Sequence, residues 1–114
     1  MSRPLRVEYP GASYHVVNRG NRLGQVFFSD SDYALFLDKL TEYVGLYEVI
    51  VYTYCLMPNH YHLFLKTTHA NLGKFMQSFN TSFTLSMNKK YGQSGHLFQG
   101  RYKAQLVEPE LYKD

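Results

Sequence analysis

Two histidines separated by a single residue, His60 and His62, have the types and the spacing that most clearly suit chemistry. They begin a run from 60 to 67 whose apolar and aromatic composition predicts a β-strand. Because side chains alternate between the two faces of a strand, His60 and His62 should share one face while Tyr61 points to the other. Two imidazoles placed this way on a rigid strand can hold one divalent metal ion.

The number of ligands indicates which kind of metal site this pair could form. A closed structural zinc site takes four ligands, so two histidines are too few for one. Two histidines with one oxygen ligand would leave positions open for phosphate oxygens, where a metal acts as a Lewis acid. Mg²⁺ or Mn²⁺ suits that chemistry, and Gln99, Glu108 and Glu110 are weak candidates for the third ligand. The alternative is two ordinary surface or core histidines.

Basic residues beside glycine, asparagine and tyrosine form a second pattern. In predicted turns, cations and backbone N–H groups can meet a phosphate together. The aromatic content of 17% could add stacking surfaces for unpaired bases, although aromatic residues also fill cores. We therefore expect single-stranded DNA to bind in a salt-dependent way, and ordinary solvated surface is the alternative. The predicted contacts are Arg3, Arg19, Asn21, Arg22, Arg101 and Lys103.

The periodicity of apolar residues predicts the elements that must position these side chains. An extended arm over 1–11 precedes strands over 12–18, 48–56, 60–67 and 102–107. One helix begins within the Ser29–Asp32 cap cluster and ends near Gly45, a second runs from Asn71 to Lys90, and residues 108–114 resemble the first turn of a third. The order β-α-β-β-α-β predicts an α+β, ferredoxin-like fold, in which two helices cover one face of a four-stranded antiparallel sheet.

Each predicted helix has one apolar face, and that of the second helix is the more sharply defined. In the first helix these residues are Tyr33, Phe36, Leu37, Leu40, Tyr43, Val44 and Tyr47. In the second they are Leu72, Phe75, Met76, Phe79, Phe83 and Met87, opposite a small polar face of Ser78, Asn80, Thr81, Ser82, Ser86 and Asn88. His15, on the first strand, is expected to be a packed or surface histidine.

Length and composition set the protein class. A chain of 114 residues with 45% hydrophobic residues predicts one globular domain over 1–114. We expect the single cysteine, Cys55, to be a buried, inert thiol in a reducing cytoplasm. No stretch approaches the ~20 apolar residues of a membrane span, and the N-terminus lacks the apolar core of a signal peptide.

Four blocks of the sequence, from about Arg3 to Tyr112, resemble the REP-associated tyrosine transposases of the HUH-type, single-tyrosine superfamily. The resemblance implies that His60 and His62 ligate a divalent metal that polarises the scissile phosphate. It also implies that a tyrosine attacks this phosphate and leaves a 5′-phosphotyrosine link. A hairpin-forming DNA repeat would be the partner, and the protein would lie in the cytoplasm at the nucleoid. The blocks are residues 9–16 (YPGASYHV), 19–22 (RGNR), 54–62 (YCLMPNHYH) and 95–104 (GHLFQGRYKA).

The sequence departs from this family at its end. Family members carry the nucleophilic tyrosine on a helix after the fourth strand, together with the third metal ligand, whereas this sequence stops at Asp114. Tyr112 matches an earlier family tyrosine and is a weak candidate for the nucleophile. We therefore expect a transposase-like domain that binds DNA and metal with little or no cleavage. A non-catalytic nucleic-acid-binding module on the same fold is the alternative, and a homodimer is left open.

Overall fold

The computed structural model describes residues 7–107, and its elements follow the predicted order. The four strands form one antiparallel sheet in the order β2-β3-β1-β4. Arg3 and the predicted helical turn over 108–114 lie outside the described residues. The elements are β1 (Ala12–Arg19), a 3₁₀ turn (Asn21–Leu23), α1 (Asp30–Tyr47), β2 (Val49–Met57), β3 (His60–Thr67), α2 (Leu72–Tyr91) and β4 (Lys103–Val107).

The two faces of the sheet differ in what covers them. Along β1 and β3, buried residues alternate with partly exposed ones, as expected when helices cover a single face. Tyr14, Val16, Tyr61, Leu63 and Leu65 point toward the helices and are almost fully buried. The intervening side chains, including both histidines of the pair, therefore lie on the open face.

The helices close the core as their periodicity predicts. All six predicted apolar residues of α2 are buried, and the predicted apolar residues of α1 are buried or packed against the core. Phe36 of α1 contacts the rings of Tyr61, Phe79 and Phe83, so one residue joins both helices to the sheet. Among residues 7–107, no helix combines the length and apolarity needed to cross a membrane.

The first helix ends later than predicted. Gly45 stays helical, and the helix continues to Tyr47. Glu48 then adopts the left-handed conformation (φ 55°), and its N–H donates to the Val44 carbonyl. The Thr68 hydroxyl also donates to the Glu48 carbonyl. The helix therefore ends where a long-range contact holds Glu48, and not at the residue with the greatest backbone freedom.

The prediction that Cys55 is buried is wrong, because its thiol is exposed. Cys55 lies on β2, an edge strand in which Val49 alone is fully buried. The pairing of β2 with β3 shifts between Val51 and Thr53, so an extra residue changes the alternation of side chains along the strand. The register places Cys55 opposite His62, on the face that no helix covers.

A buried carboxylate connects the two helices at one end of the molecule. Asp32, in the first turn of α1, is fully buried and accepts hydrogen bonds from the Lys90 ammonium, the Tyr91 hydroxyl (2.6 Å) and the Phe28 N–H (2.8 Å). Burial opposes ionisation of Asp32, but these hydrogen bonds outweigh it and lower its pKa. The ion pair thus joins the N-terminus of α1 to the C-terminus of α2, where each charge also suits the helix dipole.

Replacing Asp32 with Asn should lower the free energy of unfolding at pH 7 by about 2–3 kcal/mol, because charge-assisted hydrogen bonds are lost. The pKa of Asp32 is lower in the folded than in the unfolded protein, so its contribution is present above pH ~4 and lost as pH falls further. Urea unfolding between pH 3 and 7 should therefore show a smaller pH dependence for Asp32→Asn than for the wild type. Asp38→Asn, an exposed residue of the same helix, is the control and should match the wild type.

Candidate metal and nucleic-acid site

The histidine pair lies at the start of β3, on the open face of the sheet. The ring centroids of His60 and His62 are 5.1 Å apart, and the ring planes are nearly perpendicular. Both side chains are partly exposed, while Tyr61 between them is fully buried on the helical side. The pleat of one strand thus produces the shared face that the two-residue spacing predicts.

The turn before β3 holds His60 and fixes its tautomer. The Asn59 side-chain oxygen lies 2.8 Å from His60 Nδ1, and because that oxygen can only accept, Nδ1 carries the proton. The turn itself is fixed by Gly20 N–H, which donates to the Asn59 carbonyl, and by Val26 N–H, which donates to the Pro58 carbonyl. The Nε2 lone pair of His60 is therefore available to a ligand.

Gly20 is required at this turn because of its position. A Cβ atom there would lie 2.1 Å from the Gly24 carbonyl oxygen and 3.0 Å from a methyl of Val26. The close approach of these backbones brings the segment after β1 against the turn before β3. The glycine of the RGNR block thus contributes to the position of His60.

A third histidine supports His62 from the neighbouring strand. His15 Nε2 lies 2.9 Å from His62 Nδ1, and the His15 ring stacks on Phe64 with centroids 4.3 Å apart. When His62 Nδ1 donates to His15, the Nε2 lone pair of His62 is available on the exposed side of the ring. A hydrogen bond to the second ring nitrogen is the usual way in which proteins orient a metal-ligating histidine.

The surroundings favour the neutral form of His62. Partial burial lowers its pKa, and the nearby His15, His60 and Arg19 lower it further. Neutral imidazole is the form that ligates metals. The donor set fits a divalent ion in the tautomer with the proton of His62 on Nδ1, because His60 and His62 then each have a free Nε2 lone pair.

A cavity with a basic lining lies on the same face. The register places Val17 of β1 between His62 of β3 and Lys103 of β4. The loop before β4 is tied to the end of β1, because the Gln99 N–H donates to the Arg19 carbonyl (2.8 Å). The cavity has a volume of about 290 Å³ and is lined by Val17, Arg19, Gln99, Gly100, Arg101 and Lys103.

Within residues 7–107, no group of three or more His, Cys, Asp or Glu side chains could hold a metal ion. His60 and His62 therefore stay a predicted pair of ligands, without a third His, Cys, Asp or Glu beside them among the described residues. Gln99 lines the neighbouring cavity, whereas Glu108 and Glu110, the other predicted third ligands, lie outside the described residues.

Comparison with known families identifies the chain. The family model described as "Transposase IS200 like" matches residues 8–113, which is nearly the whole sequence. The chain belongs to the IS200-like transposase family. The histidine pair and the basic cavity are thus features of a member of this family, the one that the sequence blocks indicate.

Solved structures show that this transposase shares its fold with known ones. A REP-associated tyrosine transposase bound to a REP hairpin aligns with a TM-score of 0.76 at 15% identity, covering 95% of this chain and 63% of that one. A candidate transposase from Deinococcus radiodurans aligns with a TM-score of 0.69 at 17% identity, covering 97% and 88%. The chain thus spans less than two thirds of the REP-associated protein. No curated protein matches the sequence.

The structure gathers some of the predicted site residues of this IS200-like transposase and not others. Arg19, Arg101 and Lys103 line one cavity beside the histidine pair. Asn21 and Arg22 are exposed in the adjoining 3₁₀ turn and do not line it, so their contact with DNA stays a prediction. Arg3 and Tyr112 lie outside the described residues.

A site role for His15 is not evident from the sequence, where it is one histidine on β1. Only the pairing of β1 with β3 shows that it reaches His62. Tyr61, although it lies between the histidines in sequence, does not belong to the site. It points into the core, where burial raises the pKa of its hydroxyl, so it is not a nucleophile for a substrate on the open face.

The tautomer of His60 can be tested without a metal. Long-range ¹H–¹⁵N spectra of the neutral imidazole should show the His60 proton on Nδ1, because the Asn59 oxygen accepts it. In Asn59→Ala that acceptor is gone, so the proton should shift toward Nε2. Asn21→Ala, in the nearby exposed turn, should leave the His60 spectrum unchanged. A proton on Nε2 in the wild type would contradict the arrangement.

Proposed function

We propose that this protein binds single-stranded or hairpin DNA on the open face of its sheet and holds a divalent metal ion beside that DNA. The observation that carries the proposal is the juxtaposition of His60 and His62, whose ring centroids are 5.1 Å apart, with a cavity lined by three cations. The bound DNA would be positioned for cleavage and rejoining by the chemistry of single-tyrosine transposases. Such a protein would act in the cytoplasm, at the nucleoid.

His60 and His62 would hold the metal through their Nε2 atoms. Mg²⁺ or Mn²⁺ fits the phosphate chemistry, and imidazole ligands favour Mn²⁺ in the test tube. A bound ion of this kind would supply Lewis-acid polarisation of a phosphate. The chain's own contribution is to orient both imidazoles, through Asn59 for His60 and through His15 for His62, and to favour the neutral form of His62.

Arg19, Arg101 and Lys103 would hold the DNA backbone. They come from the end of β1, the loop before β4 and the start of β4, so the fold concentrates positive charge from separate segments. Phosphate contacts of this kind set affinity and orientation but do not read sequence. On the same face, the exposed ring of Phe64, stacked on His15, offers a surface for an unpaired base.

The hairpin part of the proposal rests on the family and on the fold. The REP-associated transposase with the same fold was solved with a REP hairpin, and we infer that a hairpin repeat is also the partner here. Tyr112 remains the weak candidate for the nucleophile that the sequence suggests. Cleavage assays with a hairpin oligonucleotide would distinguish a transposase from a non-catalytic DNA-binding module.

Metal binding should depend on His15 as well as on the two ligands. His60→Ala and His62→Ala should each abolish detectable Mn²⁺ binding, because a single imidazole remains. His15→Phe should weaken it about 10- to 100-fold, the usual effect of removing the group that orients a ligand. Mn²⁺ affinity can be followed by electron paramagnetic resonance of the free ion.

Two control variants separate positioning by His15 from general damage to the fold. His15→Gln keeps a side chain that can accept a hydrogen bond from His62, so it should recover part of the affinity. His69→Phe removes a histidine that pairs with Glu48 away from the site and should have no effect. Equal Mn²⁺ affinity in His15→Phe and the wild type would show that His15 does not orient His62.

DNA binding should be salt-dependent through the cation-lined cavity. Arg19→Ala, Arg101→Ala and Lys103→Ala should each weaken binding of a hairpin oligonucleotide with single-stranded flanks. Each lost phosphate contact should also reduce the slope of log affinity against log salt by roughly 0.7, the value for single strands. Fluorescence anisotropy between 50 and 300 mM NaCl measures both quantities.

The matched control for these variants is Lys89→Ala. Lys89 is an exposed cation on α2 that does not line this cavity. It should change neither affinity nor slope. If Lys89→Ala and Arg101→Ala behave alike, the DNA responds to net charge and not to this cavity.

A further inference from the structure

One side of α2 forms a wall of a groove that lies next to the proposed metal and phosphate site. The groove has a volume of about 890 Å³, and the segment from Gly95 to Tyr102 forms its other wall. The loop is tied to the helix because the Asn88 amino group donates to the Gly95 carbonyl (3.0 Å). Five polar side chains along one side of α2 line this wall over about 16 Å. They are Gln77, Asn80, Thr81, Thr84 and Asn88.

The floor of the groove presents a hydrogen-bond acceptor that the protein does not satisfy. Asn18 is 98% buried, and its amino group donates to the Tyr61 hydroxyl, but its Oδ1 atom has no partner among the described residues. The Tyr61 hydroxyl donates in turn to Asn80 Oδ1 (2.8 Å), which leaves the Asn80 amino group as a donor for a ligand. An unsatisfied buried acceptor is costly, so a ligand donor, directly or through one water, would stabilise it.

Amide groups at the base of a groove match the edge of a nucleobase, which presents donors and acceptors side by side. The charges of the groove suit the rest of a nucleotide. Lys74, His96 and Arg101 line it. Among the described residues the lining has one carboxylate, Glu8, which accepts a hydrogen bond from the Gly73 N–H at the start of α2. The groove can therefore provide both hydrogen bonds for a base and positive charge for its phosphate.

The groove adjoins the basic cavity beside the histidines. Gly100 and Arg101 line both. A strand whose phosphate lies in the cavity could therefore cross Gly100 and place a neighbouring nucleotide in the groove. Gly100 itself has no side chain, and a Cβ built there would meet open space among the described residues.

We propose that this groove binds an unpaired nucleobase of the DNA strand held at the histidine site, through the amides of Gln77, Asn80 and Asn18. This inference deepens the proposed function and rests on it. It assigns the groove wall on α2 to hydrogen bonds with a base, in addition to the backbone and stacking contacts on the open face of the sheet. Affinity would then depend on the presence of bases as well as on salt.

The first test uses nuclear magnetic resonance of the side-chain amides. Titration with each of the four deoxynucleoside monophosphates should shift the signals of Gln77, Asn80 and Asn88, whereas 2-deoxyribose 5-phosphate should not. If the sugar phosphate shifts them equally, the groove binds phosphate only, and the inference is wrong. If they shift with protein concentration alone, the groove contacts a second copy of the chain, which would also overturn it.

The second test compares a mixed-sequence 12-nucleotide single strand with an abasic strand of the same length. The wild type should prefer the strand with bases, and Gln77→Leu should reduce that preference about tenfold, consistent with loss of a hydrogen-bonded base contact. The matched control is Gln93→Leu, an exposed glutamine outside the groove that should retain the preference.

The outcomes separate this inference from the proposed function. If salt-dependent binding through Arg19 and Lys103 is intact while Gln77→Leu retains the full preference for bases, the groove assignment fails and the proposed function stands. If the wild type binds neither strand and no amide signal shifts, both fail. Loss of base preference in Gln77→Leu with an unchanged salt slope would support both.

Discussion

The position of the histidine pair depends on the buried hydroxyl of Tyr61, on the other face of the sheet. Tyr61 is fully enclosed, and its hydroxyl accepts a hydrogen bond from Asn18 on β1 and donates one to Asn80 on α2. These bonds fix β3 against its neighbouring strand and against the helix. Because side chains alternate along a strand, fixing Tyr61 inward also fixes His60 and His62 outward. The core thus determines where the imidazoles point.

The same sheet has one closed and one open face, and this asymmetry makes the candidate site. Aromatic and aliphatic residues of both helices exclude water from one side. On the other side, the antiparallel register brings His15 beside His62 and Lys103 near both. Charges that are scattered in sequence become neighbours there without a cost in burial. A polyanion can therefore approach the histidines along a surface that the core does not need.

Helix α2 contributes one side to the core and another side to the groove. Its apolar residues close the core, and its amides line a groove that shares Gly100 and Arg101 with the basic cavity. The two surfaces are consequently held at a fixed separation by the same packing. The ion pair of the buried Asp32 with the exposed Lys90 adds a polar connection between the helix ends. Rigid spacing of this kind is what a site needs if it is to hold successive nucleotides of one strand.

Features that depend on local periodicity follow from the sequence alone. They are the bounds of β3, the six buried residues of α2 and the shared face of His60 and His62. Each can be predicted because the spacing of apolar residues follows directly from strand and helix geometry. Tertiary structure alone decided the rest. The contact of His15 with His62, the exposure of Cys55 on an edge strand, and the groove beside Asn18 all depend on which strands become neighbours. Pairing between distant segments is set by packing of the whole core, and no local pattern encodes it.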